Sequence, residues 1–393
     1  MSRFDSAKKP GWLFITALLG VLTDSTCAAD NEQWVESWYS APEAITPHFS
    51  NSTLRTVVHL GTGGNRLRLQ VSNEYGATPL NIGCVRVESD GVGRDISFSG
   101  RQGAVIPPGV TTASDPIDIS TVDNSDLVVY MFFPGPIPEE ITFHPGLGQG
   151  NATVTAGNII GKNETSAKSL SLRWTYFLVG VEVREQSARG TIVAIGDSIT
   201  EGDETRWPAL LRDRLYRAGK HYAVINAGLS GNRILRNNIN ATEIMSSAIN
   251  RFDRDVLSQP GVKYVILYEG INDLGNADRE QEQPDAADIT NGIGLLARRA
   301  HNAGLKIFVA TLPPYEGTWA PYYSSQKNEQ RKRVNDWIRS SREIDGYLDF
   351  EQAIADPENG NRLRPEFDSG DHLHPNAAGE IALSKAVDLS IFE

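Results

Sequence analysis

The sequence predicts an all-β region followed by a three-layer α/β/α domain. Up to about Glu185, short runs rich in β-branched and aromatic residues alternate with glycine and proline, whereas after Gly190 apolar runs alternate with stretches of helical periodicity. The first pattern is typical of an antiparallel sandwich or jelly roll. The second is typical of a parallel sheet that is covered by helices on both faces.

Several segments of the first half have the composition of strands. They are residues 54–60, 67–71, 80–87, 127–133 and 174–183. Glycine and proline between them indicate turns, at 61–64, 107–109 and 134–136. We therefore assign residues 30–187 to a β-sandwich accessory domain.

Buried strands and amphipathic helices alternate from residue 188 to residue 393. Continuous apolar runs indicate strands that are buried on both faces, at 191–195, 222–226, 262–268 and 305–310. Apolar residues at helical spacing predict helices, at 207–218, 285–303, 324–341 and 377–392. These elements predict the α/β/α domain over residues 188–393.

The first 29 residues have the features of an export signal. Arg3, Lys8 and Lys9 precede an apolar stretch at 11–23, and small residues up to Ala29 suit a cleavage site. The apolar stretch is short for a membrane span. We expect cleavage after Ala29, a secreted or periplasmic mature protein and no stable membrane insertion afterwards; the alternative is an uncleaved anchor.

Composition narrows the classes of partner. Lys and Arg total 37 against 49 Asp and Glu, a net charge of −12, which argues against nucleic acid as a partner. The two cysteines, Cys27 and Cys84, are too few for a disulfide framework or a Cys-rich metal site. Four sequons predict N-glycosylation if the source is eukaryotic, at Asn51, Asn151, Asn163 and Asn240.

Small and polar residues follow the predicted parallel strands, at the sheet edge where ligands bind. Gly196-Asp197-Ser198 follows the first strand, Gly231 lies in a small-residue loop after the second, and Gly270-Ile271-Asn272-Asp273 follows the third. Asp371-His372-Leu373-His374-Pro375 precedes the last helix. A serine needs a base to act as a nucleophile, and the imidazoles of the last segment could supply one.

In this order the four segments resemble the blocks of the SGNH hydrolases, also called the GDSL esterase and lipase family. The resemblance implies a flavodoxin-like α/β/α fold and hydrolysis of carboxylic esters without a cofactor. The preceding half, including Trp34-Val35-Glu36-Ser37-Trp38, is similar to the β-rich N-terminal domain of an arylesterase-like branch of that family.

The resemblance also implies roles for five residues. Ser198 would be the nucleophile, His374 the general base and acid, and Asp371 the residue that orients the imidazole. The oxyanion hole would consist of the N–H groups of Ser198 and Gly231 and the side-chain amide of Asn272. The spacing of three residues between Asp371 and His374 lets one turn bring the carboxylate to the ring nitrogen that faces away from the serine.

The last segment also contains a second imidazole and the residue types of a zinc site. His372 is next to Asp371 in the chain and is expected to project elsewhere. A zinc site is the rival chemistry, because carboxylates and imidazoles lie close together in the sequence, at Asp368, Asp371, His372 and His374. A metal would leave the serine and the oxyanion donors without a shared purpose, so we predict no metal and no cofactor.

The predicted substrate is a small-molecule or polymer-linked ester. We expect short acyl or acetyl esters of carbohydrates or aryl alcohols, with the aromatic segment 315–323 as a candidate wall of the acyl pocket. A lipase or lysophospholipase of the same family is one alternative. A catalytically inert, secreted glycan-binding protein is the other.

Overall fold

The computed structural model describes residues 33–45, 49–144, 151–162, 169–172, 174–185, 187–239, 244–276 and 283–393. Glu32 to Glu393 belong to one compact unit. The predicted export signal and the sequons at Asn163 and Asn240 lie outside the described residues.

The first half consists of antiparallel strands, which confirms the all-β prediction. Its strands are β1 (Gln33–Tyr39), β2 (Glu43–Ile45), β3 (Ser50–Leu60), β4 (Gly64–Ser72), β5 (Leu80–Ile82), β6 (Cys84–Ser89), β7 (Val92–Ile96), β8 (Ala104–Ile106), β9 (Thr111–Ala113), β10 (Ile117–Thr121), β11 (Ser125–Pro136), β12 (Ile141–His144), β13 (Asn151–Ala156), β14 (Ser169–Leu172), β15 (Thr175–Tyr176) and β16 (Leu178–Glu185).

Two large sheets pack face to face in this half. One has the order β1-β16-β4-β10 with β9 beside β4, and the other has the order β14-β13-β3-β11-β6-β7. Along β11, Leu127, Val129 and Met131 are buried and alternate with partly exposed residues, the period that a strand with one face toward the core requires. They share one apolar cluster with Leu67 and Leu69 of β4, so the core lies between the sheets.

The second half is a parallel sheet between two layers of helices, as predicted. Its strands are β17 (Gly190–Gly196), β18 (Tyr222–Gly228), β19 (Asn238–Ile239), β20 (Ile244–Met245), β21 (Val262–Tyr268), β22 (Lys306–Ala310) and β23 (Gly346–Leu348). Its helices are α1 (Trp207–Arg217), α2 (Ala248–Phe252), α3 (Ile271–Gly275), α4 (Ala286–Asn302), α5 (Ser325–Ser340), α6 (Phe350–Ile354) and α7 (Ala377–Ala386). The sheet order is β18-β17-β21-β22-β23.

Each face of the parallel sheet has its own apolar core. Val193 and Ile195 of β17 pack with residues of α4 and α5, whereas Ile192 and Ala194 pack with residues of α1 and α7. Because successive side chains of a strand point to opposite faces, a continuous apolar run is what this position demands. The three-layer arrangement leaves the carboxyl ends of the strands for the loops that carry polar residues.

Helix boundaries follow local capping chemistry. The Asp285 side chain accepts a hydrogen bond from the backbone N–H of Asp288 at the start of α4, and the two residues form a capping box. The Ser324 side chain caps α5 by accepting a hydrogen bond from the backbone N–H of Lys327. Gly219, with φ of +70°, lies just beyond the end of α1, where a left-handed residue ends a helix at little cost.

The strand predicted at 80–87 is divided into β5 and β6, which belong to different sheets, and two further predictions of local structure are wrong. The last helix ends at Ala386 rather than continuing to residue 392, because the backbone becomes extended at Val387 and Phe392 packs against the rings of Tyr222 and Tyr264. The turn predicted at 134–136 lies inside β11, at its irregular end, where the register with β3 shifts. Prolines fit there because a disrupted ladder does not need their missing N–H groups.

The antiparallel and parallel regions are in direct contact. The Tyr39 hydroxyl of β1 donates a hydrogen bond of 2.7 Å to Asp255, and both side chains are buried. Arg254 donates to Glu74 at 2.8 Å. The assignment of residues 30–187 and 188–393 to separate domains stays a prediction.

Candidate active site

Ser198 lies in a tight turn directly after β17. The backbone N–H groups of Thr200 and Glu201 both donate to the carbonyl of Asp197, at 3.0 and 2.8 Å. A Cβ atom on Gly196 would lie 2.2 Å from the Thr200 hydroxyl oxygen, so glycine is needed for the turn to fold back over the strand end. The turn leaves Ser198 partly exposed at the edge of the sheet.

The loop before α7 brings His374 and Asp371 to Ser198. The Ser198 hydroxyl oxygen lies 2.7 Å from His374 Nε2. His374 Nδ1 lies 2.5 Å from Asp371 Oδ2. Because a carboxylate can only accept, Nδ1 carries the hydrogen of this bond and Nε2 accepts the proton of the serine hydroxyl.

The carboxyl group of Asp371 is held in its ionised form. Partial burial acts to raise its pKa, but hydrogen bonds from the His374 ring and from the backbone N–H groups of His374 and Leu373 outweigh burial and lower the pKa to about 2. Asp371 is therefore negatively charged at neutral pH. A fixed negative charge at this position stabilises an imidazolium when the ring takes a proton.

The second imidazole of the segment lies elsewhere. His372 Nδ1 is 2.6 Å from Asp368 Oδ2, and the His372 side chain is 51% exposed. The four residues of the zinc alternative are thus divided into two His–Asp pairs. Within the described ranges, no group of three or more His, Cys, Asp or Glu residues is arranged to hold a metal ion.

Two backbone N–H groups near the serine are available as donors. Gly231 has φ of +76°, a conformation that favours glycine, and its carbonyl accepts from the Asn238 amide at 2.8 Å. Among the residues that the structure describes, the N–H groups of Ser198 and Gly231 donate to no protein acceptor. A hydrogen bond joins the loop of Gly231 to the end of β17, because the Leu229 N–H donates to the Gly196 carbonyl at 3.0 Å.

The Asn272 side chain is held in one orientation in the first turn of α3. Its amide nitrogen donates to the Asn232 carbonyl at 3.0 Å and lies 3.4 Å from Asp197 Oδ2. Its amide oxygen accepts from the Tyr322 hydroxyl at 2.9 Å. The 3.4 Å contact to Asp197 is weaker than the 3.0 Å hydrogen bond to Asn232. The N–H that points to Asp197 is therefore the one that a ligand oxygen can engage. Tyr322 was not predicted to support Asn272; the aromatic content of its segment was the available signal.

Buried carboxyl groups lie behind these residues. Asp273 accepts from the backbone N–H groups of Ile234 and Leu235, at 2.8 and 3.0 Å, and so fixes the chain that follows Gly231. Burial raises the pKa of Asp273 to about 6, although both backbone bonds act to lower it. Burial also raises the pKa of Asp197 to about 6 and that of Glu269 well above its usual range.

A buried arginine connects the strand ends beneath the site. Arg251 of α2 donates to the carbonyls of Gly196 and Ala227, at 3.0 and 2.6 Å, and to the Asn232 side chain at 2.9 Å. The Asp255 carboxylate accepts from it at 2.9 Å. No sequence pattern indicates this role, because an arginine in a short helix is more often exposed.

Comparison with known proteins identifies the second half. The family model of the GDSL-like lipase/acylhydrolase family matches residues 194–380. This region therefore belongs to the SGNH hydrolases, and the reaction of this class is the hydrolysis of carboxylic esters. No curated protein matches the sequence.

Solved structures match about half of the chain. They include an α/β hydrolase from the metagenome of Lake Arreo, with 20% identity, a TM-score of 0.39, and coverage of 51% of this chain and 93% of that one. A GDSL-like lipase from Bacteroides thetaiotaomicron has 20% identity, a TM-score of 0.38, and coverage of 52% and 88%. A catalytic mutant of an acetylxylan esterase from Geobacillus stearothermophilus has 20% identity, a TM-score of 0.39, and coverage of 51% and 92%.

A helix must be both long and apolar to cross a membrane. Within the described part of the chain, none combines the length and the apolar character needed to cross a bilayer.

The raised pKa of Asp197 predicts a pH dependence of stability. Between pH 3.8, the usual pKa of an aspartate, and about pH 6, Asp197 in the folded protein holds a proton that the unfolded chain has released. The contribution of this group to the free energy of unfolding is therefore greatest below pH 4 and is lost as pH rises through 6. We expect Asp197→Asn to gain stability relative to the wild type between pH 4 and 7, by about 3 kcal/mol.

Urea unfolding at a series of pH values measures this difference. The wild type and Asp197→Asn are compared at each pH, so that the titration of all other groups cancels. A difference in the free energy of unfolding that stays constant from pH 4 to 7 would show that Asp197 titrates near its usual value.

Proposed function

We propose that the protein hydrolyses esters in two acyl-transfer steps at Ser198. The observation that carries the proposal is the hydrogen-bonded series from Ser198 through His374 to Asp371, with distances of 2.7 and 2.5 Å. Ser198 Oγ attacks the ester carbonyl while His374 Nε2 takes its proton and passes it to the leaving alcohol. Water, deprotonated by the same nitrogen, then cleaves the acyl-enzyme and releases the acid.

The negative oxygen that forms in each step needs donors that are already in place. The N–H groups of Ser198 and Gly231 have no protein acceptor among the described residues. The Asn272 amide is oriented by Tyr322 and has one long contact that can be exchanged. Donors of this kind lower the barrier without reorganising, so these three groups are our candidate oxyanion hole.

The substrate we propose is an ester that joins a short acyl group to a carbohydrate or an aryl alcohol. Trp319 is 55% exposed and contacts Tyr322, with ring centroids 4.7 Å apart and an interplanar angle of 38°. Tyr322 in turn contacts Asn272. An exposed indole beside the candidate oxyanion hole offers a flat apolar surface to a sugar or an aryl ring, whereas a long acyl chain needs a continuous apolar groove.

We also propose that the protein is exported and loses residues 1–29. The basic residues before the apolar stretch at 11–23 support this proposal. The exposed side chain of Asn51 in β3 is accessible for glycosylation. Mass spectrometry of protein from the culture medium is expected to show a chain that begins at Asp30. A chain that begins at Met1 would contradict cleavage.

Replacing the nucleophile tests the reaction. Ser198→Ala is expected to lower kcat for an aryl acetate by about 10³-fold or more, because the acyl-enzyme can no longer form. A serine-directed phosphonate should add its mass to the wild type and not to the variant. Equal thermal melting of both proteins serves as the control, and full activity of Ser198→Ala would remove the mechanism.

The same assay, run with acetate, butyrate, octanoate and palmitate esters, tests the substrate. We expect the acetate or butyrate ester to have the highest kcat/KM. Turnover that increases up to palmitate would instead favour the lipase alternative. Glycan binding without hydrolysis of any ester would favour the inert binding protein.

The two imidazoles give a matched pair of variants. His374→Ala is expected to lower kcat by about 10³-fold, because it removes the only ring in contact with Ser198 among the described residues. His372→Ala changes a half-exposed ring that pairs with Asp368, and its kcat is expected to stay within about threefold of the wild type. Steady-state kinetics compare the two, and the reverse ranking would show that His372 is the base.

A further inference from the structure

A histidine of the antiparallel region reaches the loops of the candidate active site. His144, at the end of β12, is 2% exposed and its Nε2 lies 3.4 Å from Oε1 of Glu201, which is 1% exposed. His144 Nδ1 lies 2.7 Å from the carbonyl oxygen of Ala41. The imidazole therefore lies between the backbone of its own region and a carboxyl group of the parallel region.

Glu201 contacts both loops that carry the proposed catalytic groups. It is the last residue of the turn that begins at Asp197, to whose carbonyl its N–H donates at 2.8 Å. Its Oε2 accepts a hydrogen bond from the Ser230 hydroxyl. Ser230 directly precedes Gly231, so the carboxyl group of Glu201 joins the turn of Ser198 to the loop of Gly231.

The backbone leaves little freedom at this junction. A Cβ atom on Gly228 would lie 2.3 Å from the backbone nitrogen of Glu201, a distance that real Cβ atoms do not show. The end of β18 and the turn after β17 therefore touch without an intervening side chain.

The protons of this junction can be assigned from its acceptors. The Ala41 carbonyl can only accept, so Nδ1 of His144 carries a hydrogen. Nε2 makes no hydrogen bond with any residue that the structure describes, and Oε1 of Glu201 lies 3.4 Å from it. Burial lowers the pKa of His144, although Glu201 acts against this shift. A ring that burial keeps neutral presents Nε2 as an acceptor toward Glu201.

We propose that His144 is a positioning residue for ester hydrolysis: it holds Glu201, and Glu201 holds Ser230 and thereby the N–H of Gly231. This inference rests on the proposed function of Ser198 and Gly231. The antiparallel region then contributes a side chain to the active site, in addition to any role in binding polymers. Because the Gly231 N–H acts on charge that develops in the transition state, the loss should fall on kcat rather than on KM.

The principal experiment is steady-state hydrolysis of an aryl acetate by His144→Ala. We expect kcat to fall by about tenfold to a hundredfold with KM within about twofold, the penalty of a misplaced catalytic group. The matched control is His59→Ala, which changes a histidine of the same region that is 33% exposed and pairs with Asp126 at 2.9 Å. The control should keep the kcat of the wild type.

Conservative variants separate positioning from general support of the fold. Glu201→Ala should lower kcat as His144→Ala does. Glu201→Gln should restore most of that loss, because the amide accepts from Ser230 through its oxygen and donates to neutral Nε2 through its nitrogen. The double variant His144→Ala, Glu201→Ala should be no slower than the slower single variant, since both act on one contact.

Ser230→Ala keeps the test valid if His144→Ala does not fold. Ser230 is only partly buried, and removal of its hydroxyl should lower kcat while the melting temperature stays within a few degrees of the wild type. Wild-type kcat in a folded His144→Ala protein, or in Ser230→Ala, would overturn the inference while Ser198→Ala remains inactive. Full activity of Ser198→Ala would instead overturn the proposed function itself.

Discussion

The candidate site depends on one buried guanidinium group. Arg251 is fully buried and donates hydrogen bonds to the carbonyls of Gly196 and Ala227. Gly196 belongs to the last residue pair between β17 and β18, and Ala227 belongs to the pair before it. Its Nε donates to Asn232, in the loop that follows β18. Charged hydrogen bonds in a medium of low dielectric constant are strong and directional. The turn of Ser198 and the loop of Gly231 therefore start from positions that a single side chain fixes.

A buried cation also sets the ionisation of the carboxyl groups around it. Asp255, paired with Arg254 and Arg251, has a lowered pKa despite its burial. Glu269 lies 3.5 Å from Arg251, and its pKa stays well above the usual range because burial and the nearby Asp197 outweigh the arginine. Of the two carboxyl groups that face Arg251, Asp255 is therefore the one whose ionised form is favoured. At the edge of the sheet, Asp371 is ionised at neutral pH. Its negative charge faces the imidazole of His374 and assists proton transfer to that ring.

Sequence patterns predicted those parts of the protein that local chemistry determines. The bounds of β21 agree with the apolar run at 262–268, and α4 lies within its capping residues. The contacts of Arg251, of Tyr322 with Asn272 and of His144 with Glu201 could not be predicted, because each joins segments that are distant in the chain. The end of α7 was missed for the same reason, since Phe392 packs on rings of β18 and β21.

Two of the polar junctions at which the antiparallel region meets the parallel region lead to the candidate site. Tyr39 donates to Asp255, which accepts from Arg251 and so connects β1 to the strand ends. His144 faces Glu201, which accepts from Ser230 and so connects β12 to the loop of Gly231. Loops at the edge of an open sheet have no further strand to hold them, and catalytic geometry tolerates little displacement. Support from outside the sheet explains why buried polar groups, which are costly to desolvate, lie at this interface.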